Sequence, residues 1–123
     1  MEKIVKAVLG LKEIKDDPVF LSEFSQYLVE KYKPEERLSF YERFKMADTA
    51  FDLLMRKIVL KSLFKSFGKD VIISPDFSFL HPETIEIGNG VFIGSHTFIQ
   101  GRIDGYCKIG NKVWIGPYSY FDA

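Results

Sequence analysis

Two histidines and one cysteine are the side chains here whose chemistry is set by a pKa near neutrality, and each poses a different possibility. His81 precedes Pro82 in an irregular stretch, where a solvated or turn-capping role is expected. His96 lies in a regular stretch between Ile93 and Ile99 and is the candidate for a group facing a small molecule. Fifteen residues separate the two histidines and they form no ligand cluster, so no metal site is expected. Cys107 has no neighbouring histidine or helix start to lower its pKa, which makes it a passive loop cysteine rather than a nucleophile. The carboxylate pairs Asp16-Asp17 and Glu35-Glu36 fall at helix starts, where the helix dipole accounts for them.

The elements that must position His96 are written in a six-residue grid. Ile87, Ile93 and Ile99 are spaced by six, as are Ile109, Ile115 and Phe121, and the earlier pair Ile73 and Phe79 shows the same interval. Gly88, Gly94, Gly110 and Gly116 each follow a grid residue, and Val91, Thr97, Val113 and Ser119 stand four places after one. Such a period is neither helical nor a plain strand alternation, and fixed-period self-similarity marks a parallel β-helix. Each repeat makes one flat side of a triangular prism, with its first residue pointing inward and stacking on its counterpart about 4.8 Å away. The prism predicts about eighteen residues per coil, interrupted by a loop at Gly105 to Lys108 that contains Cys107. Asn89-Gly90 would also suit an antiparallel hairpin. Asn111-Lys112 offers no matching turn, and alternation from Ile93 would bury Ser95. On this grid His96 is a fourth residue, which points outward.

From about Val71 to Ala123 the chain resembles the left-handed β-helix of the hexapeptide-repeat acyltransferases, most closely the sugar and antibiotic acetyltransferases. The resemblance covers under half of the chain. It rests on the phrases Asn89 to Gly94 and Asn111 to Gly116, the break in the grid between coils, and Ile115-Gly116-Pro117. It implies a homotrimer, with acetyl-CoA as acyl donor in the groove between adjacent prisms and a sugar-like acceptor at the same seam. In similar enzymes an asparagine beside the acceptor often holds the place of His96, so His96 departs from the pattern while remaining the substrate-binding candidate. Transfer to a hydroxyl or amine needs a general base and a donor for the oxyanion. The histidine that serves as base in this family follows a phrase like Tyr120 to Ala123, so no catalytic residue is assigned. The expectation is the N-terminal part of a longer acyltransferase, with little transfer activity of its own. A non-catalytic trimerising scaffold is the alternative.

The fold class expected is α+β, with helices over residues 1–68 followed by an incomplete β-helix over 69–123. Asp17-Pro18 opens a helix to about Tyr32 carrying Phe20, Phe24, Tyr27 and Leu28 on one face. Lys33-Pro34 breaks it, and a long helix from Pro34 to about Phe67 follows, with Gly68 as its stop. Ile4 to Ile14 also reads as helix. The phenylalanine stripe of the long helix could meet a membrane surface beside Arg56, Lys57, Lys61 and Lys65. Packing on a neighbouring helix and on the first coil is the favoured reading. Seventeen basic and seventeen acidic residues cancel, leaving no footprint for nucleic acid. No apolar stretch reaches the length of a membrane span, no secretion signal is evident, and a single cysteine cannot form an internal disulfide. A cytoplasmic protein is expected.

Overall fold

A computed structural model describes residues 18–122, so the helix expected over Ile4 to Ile14 and the pair Asp16-Asp17 lie outside the described residues. The fold is α+β. Three helices, α1 (Pro18–Lys31), α2 (Pro34–Phe44) and α3 (Ala50–Leu63), precede nine short strands. These are β1 (Ser66–Phe67), β2 (Ile72–Ile73), β3 (Ser78–Leu80), β4 (Ile85–Ile87), β5 (Phe92–Ile93), β6 (Phe98–Gln100), β7 (Cys107–Ile109), β8 (Trp114–Ile115) and β9 (Tyr120–Asp122).

The long helix expected from Pro34 to Phe67 is two helices, and the reason is local. Thr49 Oγ1 accepts the Asp52 N–H at 3.1 Å while the Asp52 carboxylate accepts the Thr49 N–H at 3.2 Å, a reciprocal cap that starts α3 afresh. The carbonyls left open at the end of α2 are taken by Arg56, which is fully buried and donates to Phe44 O at 2.9 Å and to Ala47 O. Gly68 is not the helix stop either: α3 ends at Leu63, and Phe64 is extended. Gly68 instead belongs to the strand region, where an added Cβ would come within 2.4 Å of Gly88 O.

All strand pairing is parallel, and the three sheets run β1-β4-β7, β2-β5-β8 and β3-β6-β9. The chain thus visits the three sheets in rotation. A hairpin is excluded, because Phe92 pairs with Ile72 and Trp114 rather than with a near neighbour. Grid residues lie in register: Ile73, Ile93 and Ile115 in one sheet, Phe79, Ile99 and Phe121 in another, Phe67, Ile87 and Ile109 in the third. Ile73, Ile93 and Ile99 are completely buried, and so is Ile85.

The expected eighteen residues per coil is corrected by two insertions. Ser66 lies opposite Glu86 and Glu86 opposite Lys108, so successive turns take 20 and then 22 residues. The short 3-10 turn Pro82–Thr84 lengthens the first turn, and the irregular segment 101–106 lengthens the second. The loop expected at Gly105 to Lys108 is therefore shifted, and Cys107 and Lys108 belong to β7. Register decides this, since Cys107 must meet Ile85 for Ile109 to meet Ile87.

The helices close one end of this coil. Phe64 packs edge-on against Phe67 and Phe79 and against the tilted ring of Phe77, and Ile58, Val59 and Leu60 are buried with them. Only the later part of the stripe is core: Leu54, Ile58 and Phe64 are buried, Phe40 and Phe44 are half-buried, and Phe51 is exposed. Among the described residues, no helix is long and apolar enough to cross a membrane.

Candidate functional site

Three non-glycine residues adopt left-handed backbone at one corner of the coil: Asp76 (φ 62°), His96 (φ 59°) and Tyr118 (φ 59°). That region is uncommon for any residue with a Cβ and unusual for one as bulky as tyrosine. What fixes it is a ladder between turns, in which Tyr118 N–H donates to Ser95 O at 2.9 Å and His96 N–H to Pro75 O at 3.2 Å. The side chains follow the backbone into a column. His96 Nδ1 lies 2.7 Å from Asp76 Oδ2, and the Tyr118 ring stacks on the imidazole with centroids 4.8 Å apart and an interplanar angle of 18°. Lys45, the residue that ends α2, places Nζ 3.7 Å from Asp76 Oδ1.

The electrostatics give this column a direction. The hydrogen bond from His96 is the main reason that the Asp76 carboxyl is held below the usual carboxylate range, with the Lys45 charge adding to it and partial desolvation opposing. An ionised carboxylate only accepts, so Nδ1 carries the hydrogen and a neutral imidazole keeps its lone pair on Nε2. The His96 side chain is 40% exposed. In a part-exposed imidazole oriented in this way, Nε2 is the atom that can accept a hydrogen bond from, or a proton of, an incoming hydroxyl or amine.

The carboxylate also links the column to stability. A folded pKa below the unfolded one contributes stability that is present above the unfolded value and is lost as pH falls through the folded value. Stability measured by urea unfolding is therefore expected to fall as the pH drops below the ordinary carboxylate pKa of about 4, and Asp76→Asn should flatten part of that fall. The effect is small because a third of the Asp76 side chain is exposed and its charge is screened. An identical pH dependence in the variant would show that the hydrogen bond does not bias Asp76.

The other residues with chemical potential are placed apart from this corner. His81 starts the 3-10 turn, with Nδ1 3.0 Å from Glu83 Oε1 and its carbonyl accepting from Thr84 N–H and Thr84 Oγ1. Burial pushes the Cys107 thiol up, away from thiolate. Among the described residues, no group of three or more His, Cys, Asp or Glu side chains could hold a metal ion. Comparison with protein-family models, curated proteins and solved structures finds no match.

Lys45, Asp76 and Tyr118 are functional candidates that sequence reasoning missed. The signal for two of them was present, since Ile73-Ser74-Pro75-Asp76, Ile93-Gly94-Ser95-His96 and Ile115-Gly116-Pro117-Tyr118 are one phrase repeated. Beside the column, exposed aromatic rings continue along two sheets. Trp114 stands edge-on to Phe92 at 5.5 Å, and Tyr120 lies parallel to Phe98 at 5.6 Å. Trp114 and Tyr118 are each 77% exposed. A groove between α1, α3 and the first turn of the coil encloses only about 70 Å³, too little for a ligand with the bulk of a coenzyme thioester.

Proposed function

We propose that this chain is the acceptor-binding part of a cytoplasmic acyltransferase whose coil is a left-handed β-helix, and that it moves an acetyl group from acetyl-CoA to a sugar-like hydroxyl or amine. The observation that carries the reading is the His96 imidazole, oriented by Asp76 on an exposed corner of a parallel coil built from six-residue repeats. The acceptor oxygen or nitrogen attacks the thioester carbonyl carbon, the acceptor proton passes to a base, the C–S bond breaks, and the departing thiolate takes that proton, so that CoA leaves as its thiol. His96 Nε2 holds the acceptor group by a hydrogen bond; the base is not assigned within this chain. Exposed Trp114, Tyr118 and Tyr120 support threefold association, since aromatic surface of this kind is buried when copies meet. The donor would lie in the seam so formed.

The test uses the chain itself, with acetyl-CoA and a panel of hexoses and aminohexoses. Expected are a trimer mass by light scattering, measurable CoA binding, transfer slower than about one per second, and acceptor binding about tenfold weaker in His96→Ala with CoA affinity unchanged. A one-chain mass at micromolar concentration, or a trimer with no affinity for CoA or any acceptor, overturns the reading; the latter leaves a scaffold.

A further inference from the structure

The ladder at the His96 corner has one rung more than the stacking of the three turns on one another supplies. Tyr118 N–H donates one turn down to Ser95 O and His96 N–H one turn down to Pro75 O. Asp76 is in the first turn, below which no further turn lies among the described residues, yet its N–H donates at 2.8 Å to Lys45 O. The helical layer supplies the missing carbonyl. The side chains repeat the substitution, because the Lys45 ammonium stands below Asp76 as Asp76 stands below His96. Arg56 holds this false rung in place. Its guanidinium ties Phe44 O and Ala47 O, on either side of Lys45, to Ile73 O of β2 at 3.1 Å.

We infer that Lys45 is a positioning residue of the site: with its carbonyl and its ammonium it fixes Asp76, and Asp76 fixes the tautomer and orientation of His96. The inference deepens the reading of His96 as the acceptor-binding group and rests on it for its functional meaning, but its geometry is testable without any transfer reaction. The helices are then more than a plug for the end of the coil. They set the proton position on a ring that lies outside them.

The probe is the imidazole ¹⁵N spectrum of His96 at about pH 8.5, where an ordinary histidine is neutral. In the native chain the Nδ1–H form is expected to dominate. Asp76→Asn should abolish that preference and serves as the reference. Lys45→Met keeps the side-chain stem and the backbone carbonyl while removing the charge, and should reduce the tautomer ratio about two- to fivefold, the scale of a screened ion pair. Lys45→Arg should restore it. His96 signals unchanged in Lys45→Met, in a chain where Asp76→Asn moves them, would overturn the inference and reduce the helices to packing. Signals unmoved by Asp76→Asn would overturn it as well, at the level of the pair itself. A tautomer that responds as expected in a chain without affinity for CoA or sugars would sink the proposed function and leave the positioning intact.

Discussion

Ile93→Asp is expected to abolish the cooperative unfolding transition. Ile93 is completely buried, pairs in register with Ile73 below and Ile115 above, and has no polar group of the interior within its own stack. Removing the side chain alone costs about 2–5 kcal/mol. An unpaired carboxylate in a dry interior adds several kcal/mol more, or the group stays protonated at a comparable cost. Together these match the whole stability of a typical domain, about 5–15 kcal/mol. Circular dichroism against temperature reads the outcome directly: the parent melts in one step, and the variant shows no step. Ile115→Asp is expected to be milder, since Ile115 belongs to the last described turn and retains some exposure to water. A variant at Ile93 that melts near the parent temperature would mean that the stack is not the core.

Arg56→Met is the second large effect. The guanidinium is fully buried and serves three carbonyls, Ile73 O, Phe44 O and Ala47 O, with Asp48 Oδ1 at 3.3 Å as its carboxylate partner. Methionine fills much of the volume but donates nothing. Each buried acceptor left without a donor costs about 1–3 kcal/mol, part of which water recovers at the end of α2, so a net loss of about 3–5 kcal/mol is expected. Arg56→Lys should regain only a fraction, because an ammonium lacks the planar fork that reaches Ile73 O and the end of α2 together. Urea midpoints for the three chains test this. Equal midpoints for parent and Arg56→Met would show that the carbonyls find other donors.

The grid of isoleucines made the parallel strands and their inward faces readable, because a side chain that recurs every six residues can share one interior only if the chain coils. Helix α1 was readable from Pro18 and Lys33-Pro34. The break between α2 and α3 was obscured by phenylalanines at helical spacing on both sides of it, although Thr49 and Asp52 carry the cap that causes it. His96 stood out as a residue, while its partner did not. Asp76 reaches it across a turn of 20 residues rather than 18, and that register depends on the 3-10 turn after His81, whose length no periodicity encodes. Lys45 was further out of reach, since it touches the coil from a helix end whose position only the tertiary packing defines.

The carbonyl that Lys45 lends to the first turn bears on how the chain acquires its structure. In a coil each strand pairs with one about twenty residues away, so closing the first turn costs loop entropy before any parallel partner exists to repay it. The helices are local and form without that delay. Once α2 and α3 have packed together, the carbonyl at the end of α2 gives the first corner something to dock on, so growth of the coil becomes elongation from a template rather than nucleation in solution. Order would then spread from β1–β3 toward β7–β9, with the His96 corner assembled at the second step and Tyr118 closing over it at the third.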